Sequence, residues 1–487
     1  MSPDGNIKDI SPSYKQSSCY LVDVETDEGT LTFTVCSSYL DVLPADAAQQ
    51  LLRNMEVKKI KKGERILNQN ETGTQWYLIL KGSCVSIAEK NNMPYHVTRL
   101  SEGDIVGEMV LFPGESSNTY VDAETDMYLL DMSREQFESL SQENPEFSNM
   151  LSEILTNRLS RSQSTEERKI GKYSITEKVD HGGSSIIYRG VHSILNLPVA
   201  IKMLKHEMAM DQDFIDLLRN EAKIIAQMNH PNIVKVYDIE ERFHTVFIIM
   251  EYLDGLLLKQ MMKNTPKLSL SQIVDITAQV CYGLEYAHHQ RIIHQDINPN
   301  NIFIQADGQV KIIDFGLACR PGSVDTNFLF PGTLFYISPE QLHGEPVDER
   351  TDLYSLGITV YEMLTGQVPI SGDDMKAVIN WHLNEDLPDQ HSVIPDLPDE
   401  FRTFLMKTVR KNPAARYRDV SEALDGLLPL TEKLGVNSQP RYCTQNKMIG
   451  MFLLYQEDQQ MEMKRHIEEF NKKISETGSV LRITPFE

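Results

Sequence analysis

Alternation of apolar and polar residues over 19–25 and 30–35 predicts two strands. The Thr-Asp-Glu-Gly run at 26–29 predicts a hairpin turn between them, because glycine takes positive φ without steric cost. Residues 1–18 are rich in Ser, Pro, Asp, Gly and Asn with little periodicity, and are expected to fray. After Pro44 and Asp46, the positions Ala47, Leu51, Leu52 and Met55 recur at helical spacing and predict a short helix. From 56 to 132 glycines punctuate short extended runs, the pattern of a compact β-barrel or sandwich, with strands expected at 75–80, 84–88 and 125–131. Residues 133–159 read as helical, and the polar run that follows reads as a linker over 160–170.

From 171 to 430, β-branched runs give way after Leu268 to long apolar-periodic helices, which describes an α+β body. Residues 431–487 read as a linker followed by strand (448–455), helix (458–476) and strand (480–484), with Met461, Met463, Ile467, Phe470 and Ile474 as the helix's apolar stripe. The expected fold class is therefore multidomain. An extension over 1–41 precedes a β-barrel or jelly-roll with flanking helices over 42–159, then come the α+β body and a small β-α-β C-terminal unit.

Composition narrows the function. The chain has 487 residues, room for about three domains of ~150 residues each. It carries 47 basic and 70 acidic residues, a formal charge of −23, and has no long Lys/Arg block. A nucleic-acid backbone and an anionic membrane surface are therefore excluded as expected partners. No apolar run approaches the ~20 residues that span a bilayer, so membrane insertion is not expected and a cytoplasmic location is. The cysteines at 19, 36, 84, 281, 319 and 443 show no CxxC or Cys/His metal spacing, which predicts free, reduced thiols.

The chemistry concentrates in the middle of the chain. At 199–202 the sequence Val-Ala-Ile-Lys ends an apolar β run in Lys202, a residue rarely buried without a partner. The helical segment 213–229 supplies one in Glu221, which borders the apolar stripe of Phe214, Leu217, Leu218, Ile224 and Ile225. Downstream, Asp296 and Asn301 sit in a loop between apolar runs, and the strand-like run at 310–313 leads straight into Asp314. Two hard oxygen ligands, one further carboxylate and one cation are the parts that align a metal-bound triphosphate with an acceptor hydroxyl.

These residues, in this order, resemble a eukaryotic-type Ser/Thr protein kinase, especially the bacterial branch, over 171–430. The resemblance implies a bilobal fold and transfer of the ATP γ-phosphoryl to a hydroxyl of a protein substrate that the sequence does not identify. It implies ATP and Mg2+ as cofactors, with Mn2+ as a substitute metal. Lys202 would hold the α and β phosphates and pair with Glu221, Asp296 would be the catalytic base, and Asn301 and Asp314 would bind the metal. Asp180, Gly182 and Gly183 fall in the phosphate loop. Ile187, Ala200 and Phe303 would sandwich the base, and Glu251 and Leu253, just after Met250, would read it through backbone groups. His294 matches the structural histidine of the catalytic loop, Thr333 and Glu340 the end of the activation segment, and Arg416 the late arginine paired with Glu340.

Three departures from the family pattern stand out. Asp180 and Ser185 replace phosphate-loop glycines, which implies weaker nucleotide binding. Gln295 replaces the arginine that pairs with a phosphorylated activation loop, so control through phosphorylation of Thr326 or Thr333 is not expected. Asn298 replaces a lysine in the catalytic set, leaving a neutral donor, so a slow enzyme is expected. A pseudokinase scaffold or signalling platform that binds nucleotide weakly is the alternative.

Residues 42–159 resemble a cyclic nucleotide-binding domain through the runs at 62–64, 77–82 and 100–108. Glu108 matches the carboxylate that meets the ribose. The family's phosphate arginine falls on Ser117, and Arg99 is the single Lys or Arg between Lys90 and Arg134. Cyclic nucleotide binding is therefore not expected, although a cyclic-nucleotide-regulated kinase remains a further alternative. The C-terminal unit is small enough to dock on another domain or to pair across a homodimer, and the sequence leaves both open.

Overall fold

The computed structural model describes residues 5–436, except 13–18, 27–28, 72, 91–92, 113–114, 116, 118, 162–167, 182–184, 210–218, 220–224, 227, 266, 316–332, 371–373 and 389–396. The expected C-terminal β-α-β unit lies outside the described residues.

The first sheet is a three-stranded meander of β1 (Asn6–Pro12), β2 (Cys19–Thr26) and β3 (Gly29–Cys36). The hairpin follows the alternation in sequence, with Gly29 at φ +119°. The fraying expected of residues 1–18 is corrected over Asn6–Pro12 by β1, which pairs antiparallel with β2, while 1–4 and 13–18 lie outside the described residues. A register shift between Ile7 and Asp9 breaks the period of two, and that is why the strand shows no pattern in the sequence. The hairpin also corrects the expectation of free thiols throughout. Cys19 lies opposite Cys36 with Cα atoms 4.4 Å apart, and the two form a disulfide. Strand pairing rather than sequence spacing brings them together, so cysteine usage no longer supports a reducing compartment. Cys84 and Cys281 are buried free thiols. Burial, aided by Asp104 and Glu124, pushes the Cys84 thiol up to about 12, so it is inert at neutral pH.

Helix α1 (Ala45–Arg53) leads into eight strands: β4 (Glu56–Ile60), β5 (Arg65–Leu67), β6 (Gln75–Lys81), β7 (Cys84–Lys90), β8 (Met93–Leu100), β9 (Ile105–Val106), β10 (Tyr120–Ala123) and β11 (Met127–Ser133). They form two four-stranded sheets, ordered β5-β10-β7-β8 and β4-β11-β6-β9. Period two divides β6 between two cores. Tyr77 and Ile79 face the barrel interior with Val121 and Leu129, while Trp76, Leu78 and Leu80 face outward into a second core. The stretch expected to be helical over 133–159 is two helices, α2 (Arg134–Glu143) and α3 (Phe147–Arg161), separated at Asn144 and Pro145, where proline removes a helix donor. Ser133 and Gln136 cap α2 reciprocally.

The α+β body opens with a six-stranded sheet of β12 (Lys169–Ile170), β13 (Tyr173–His181), β14 (Ser185–His192), β15 (Pro198–Leu204), β16 (Val236–Arg242) and β17 (Thr245–Glu251), in the order β12-β13-β14-β15-β17-β16. Below it, β18 (Gly255–Leu257), β19 (Ile302–Gln305) and β20 (Val310–Ile312) form a small sheet. This sheet packs among helices including α4 (Leu270–His289), α5 (Glu349–Thr365) and α6 (Val420–Lys433). The architecture is bilobal, as expected.

The two halves of the described chain share a core. Ile201, Met203, Phe247, Ile249 and Tyr188 on one face of the six-stranded sheet belong to the same buried cluster as Leu155 and Leu159 of α3 and Trp76 of the barrel. Polar contacts fix the seam. Ser152 Oγ accepts from the His206 amide at 2.8 Å, His206 Nε2 lies 2.7 Å from the Phe243 carbonyl, and Tyr188 Oη donates to Thr156 at 3.4 Å.

His206 is buried in that seam, and burial pulls its pKa from 6.5 down to about 4. The unfolded chain binds a proton below pH 6.5 that the folded seam refuses until about pH 4. The stability contribution is therefore complete above 6.5 and is lost as pH falls toward 4, at about 1.4 kcal/mol per unit. Urea unfolding at pH 7 and pH 4.5 is expected to differ more in the parent protein than in His206→Gln; equal pH dependence in the two refutes the assignment.

Candidate active site

Strand alternation builds the roof of the site. In β15 Val199, Ile201 and Met203 are fully buried, while Ala200 and Lys202 on the opposite face are half-buried. Ile187 of β14 is directly opposite Lys202, so Ile187, Ala200 and Lys202 share the face that looks into the cleft. Met250 pairs with Ala200 at the strand edge. Phe303 and Leu253 are also half-buried. The Glu251 carboxylate turns away from this face, accepting from the Lys235 amide at 2.7 Å and from Lys311 Nζ, so its side chain does not read a base.

The floor is the loop between α4 and β19. Asp352 of α5 holds it, accepting from the His294 amide at 2.9 Å, the Gln295 amide at 2.7 Å and His288 Nε2 at 2.7 Å. Fully buried, Asp352 gains the three donors that a carboxylate in the interior requires. His294 packs against Phe315 with ring centroids 4.5 Å apart, and burial holds its pKa below the usual value, as a neutral structural residue.

Both carboxylate oxygens of Asp296 accept amide hydrogens. Asn298 Nδ2 donates to Oδ1 at 2.8 Å and Asn301 Nδ2 donates to Oδ2 at 2.7 Å. The Asn301 backbone carbonyl also accepts from the Ile313 amide at 2.9 Å, which ties the loop to the residue before Asp314. Asp314 itself takes φ +61°, a left-handed conformation uncommon outside glycine. Its Oδ1 accepts from Lys202 Nζ at 2.7 Å. The structure thus brings Lys202, Asp296, Asn298, Asn301 and Asp314 to one cleft. Glu221, the partner expected for Lys202, lies outside the described residues, as do Gly182, Gly183 and Thr326. Asp180 is exposed on β13 in register with Ile187, and Thr333 begins a short helical turn.

Two further expected positions are filled as the resemblance implies. Arg416 grips Glu340 through two hydrogen bonds of 2.7 and 2.8 Å, with both side chains buried. Burial would raise the Glu340 pKa, but the Arg416 hydrogen bonds and charge outweigh it and hold it below the usual value. Gln295 is buried, and Gln341 Nε2 donates to its backbone carbonyl at 3.3 Å and to its side-chain Oε1 at 3.5 Å, so a neutral amide fills the place of the family's arginine.

The barrel holds a cavity of about 540 Å3 whose lining includes Glu108 and Ser117, the two positions singled out in the sequence. Two arginines that sequence reasoning missed act there. Arg158 of α3 donates to Glu108 at 3.2 Å. Arg242, from the kinase-like sheet, grips Glu115 beside the cavity with two hydrogen bonds of 2.8 Å. Helical periodicity gives only the apolar face of α3, and no local signal joins residues 127 positions apart.

Comparison with known proteins agrees with this geometry. The protein kinase domain model matches residues 173–425, more than half of the chain, and the cyclic nucleotide-binding domain model matches residues 57–144. The chain belongs to the protein kinase family and carries a cyclic nucleotide-binding domain ahead of the kinase domain. A probable serine/threonine-protein kinase of Clostridium acetobutylicum is 35% identical over 258 residues, 53% of this chain and 39% of that protein. Serine/threonine-protein kinase PrkC of Bacillus subtilis is 33% identical over 53% of this chain and 40% of its own length. Serine/threonine-protein kinase PknL of Mycobacterium tuberculosis is 32% identical over 58% and 72% respectively. The chain thus spans about two fifths of the first two relatives. Among the described residues no helix is long and apolar enough to cross a membrane.

The Glu340–Arg416 pair gives a stability test. Arg416→Ala leaves a buried carboxylate unpaired and is expected to cost about 3–5 kcal/mol in urea unfolding. The paired change Glu340→Leu with Arg416→Met is expected to recover part of that loss, since Arg416 also donates to the Arg350, Arg410 and Lys411 carbonyls, and a double variant no more stable than the single one refutes this account.

Proposed function

We propose that the chain is an ATP-dependent Ser/Thr protein kinase that transfers the γ-phosphoryl of ATP to a hydroxyl of a protein substrate. The carrying observation is the convergence of Lys202, Asp314, Asn301 and Asp296 in one cleft, with Lys202 on Asp314 at 2.7 Å and Asn301 on Asp296 at 2.7 Å. Lys202 supplies the cation for the α and β phosphates, and the exposed face of Ile187 and Ala200 takes the base. Asn301 and Asp314 fit Mg2+, with Mn2+ as a substitute. The Asn301 amide nitrogen is committed to Asp296, so the ligand atom it presents is its carbonyl oxygen, and Asp314 adds a carboxylate, both hard donors. The metal would neutralise phosphate charge.

Asp296 orients the acceptor hydroxyl and takes up its proton. Asn298 and Asn301 fix the carboxylate by one hydrogen bond on each oxygen, so it need not reorganise when the hydroxyl arrives. Asn298 does this without a charge. The loss of one cation aimed at the transferring phosphoryl corresponds to ~3 kcal/mol, on the order of 100-fold in rate. A slow kinase follows.

Transfer of radiolabelled γ-phosphate to a generic protein acceptor is expected to exceed that of Asp296→Asn by about 1,000-fold. Transfer equal in the two proteins refutes the kinase reading and leaves the scaffold. Asn298→Lys is expected to raise kcat by about tenfold or more, with KM for ATP changed far less. An unchanged kcat removes the charge argument.

A further inference from the structure

The N-terminal sheet packs one face on the barrel strands β4 and β6, through Val22, Val24, Phe33 and Val35, and has two edges, β1 and β3. The edges differ in kind. β1 carries Lys8, Asp9 and Pro12 and a register shift between Ile7 and Asp9, the devices that keep an edge from pairing further. β3 has none of them. Its eight residues, Gly-Thr-Leu-Thr-Phe-Thr-Val-Cys, include no charge and no proline, in a chain of formal charge −23.

The hairpin fixes which backbone groups of β3 face outward. Opposed residues of an antiparallel pair alternate between a hydrogen-bonded kind, with Cα atoms about 5.5 Å apart, and a closer kind at about 4.5 Å whose N–H and C=O groups point away from the partner strand. Cys19 and Cys36, with Cα atoms 4.4 Å apart, are the closer kind. Counting back in twos along β3, so are Thr34, Thr32 and Thr30, opposite Leu21, Asp23 and Glu25. Their N–H and C=O groups therefore aim out of the sheet, and among the described residues no group pairs with them. All three side chains are exposed.

We infer that β3 is a dimer edge: it pairs antiparallel with β3 of a second copy of this chain about a two-fold axis at Thr32, joining two three-stranded sheets into one of six strands. The pattern of β3 selects a second copy as the occupant. Threonine at 30, 32 and 34 is symmetric about its middle, so Thr32 meets Thr32 and Thr30 meets Thr34 of the other copy, an isologous contact built of Thr–Thr pairs. The same register sets half-buried Leu31 of one copy beside Phe33 of the other and covers it further. An acidic or a basic peptide would find no complementary charge on β3. The disulfide at Cys36 and the burial of Phe33 and Val35 already hold the strand in place, so little conformational freedom is lost on association.

Sedimentation equilibrium of the full chain in non-reducing buffer, from about 1 to about 100 µM, tests the inference without reference to phosphotransfer. The mass is expected to rise from that of one chain, 55.6 kDa, toward twice that value. Thr32→Pro removes the outward N–H at the axis, and Thr32→Lys sets two ammonium groups opposite each other while leaving the fold of an exposed position alone. Each is expected to raise the dimer dissociation constant at least tenfold. Hydrogen exchange supplies a second readout, in which the Thr30, Thr32 and Thr34 amides are expected to slow as concentration rises in the parent protein and not in Thr32→Lys. A parent chain that stays monomeric at the highest concentration overturns the inference, and so does a dimer that both variants leave intact. Amide protection independent of concentration also overturns it, since the partner of this edge would then lie within one chain.

Discussion

The alternation of side chains along β15 and β17 is the constraint on which the rest of this molecule depends. One face of these strands carries Ala200 and Lys202 into the cleft, and the other carries Ile201, Met203, Phe247 and Ile249 into a core shared with α3. A strand has only two faces, so the position of Lys202 and the packing of the preceding domain are set by the same backbone. Slipping β15 by one residue would place an ammonium in the shared core and an isoleucine in the cleft. The register that orients the phosphate-binding lysine is thereby held by apolar burial, at about 1.5–3 kcal/mol for each large side chain removed from water.

The cleft's floor follows a different rule. Asp352 is a single buried carboxylate that gathers two backbone amides and an imidazole. It fixes a loop of otherwise irregular backbone, in which Gln295 adopts φ +67°. Such a conformation persists only where its surroundings over-determine it. Asp296 is then braced by two amides from within five residues of itself. Local sequence supplies the bracing, and a distant helix supplies the clamp.

Much of this was legible in the sequence, for physical reasons that differ from place to place. The cleft residues are readable because phosphoryl transfer requires a cation, hard oxygen donors and a base, because their order along the chain resembles that of the protein kinase family, and because β-branched runs mark the strands that carry them. The barrel strands are readable from glycine punctuation. The β1 strand was hidden by its register shift, and the disulfide by a pairing that only the hairpin creates. Pairing of Lys202 with Asp314 joins residues 112 positions apart, and the Arg242 grip on Glu115 joins two domains. Neither leaves a local trace, since an exposed-looking arginine or glutamate reads the same whether solvated or clasped. The missing phosphate arginine was readable, but the cations that replace its surroundings were not.

The shared core also bears on what counts as a module in this chain. A family model draws its border at Tyr173, where recognisable kinase sequence begins. Cutting there would turn Tyr188, Ile201 and Phe247, all fully buried, out to water along a whole sheet face. The unit of inheritance and the unit of folding therefore do not coincide. Two recognisable pieces thus share one buried cluster, in which the barrel domain and α3 close the outer face of the kinase sheet.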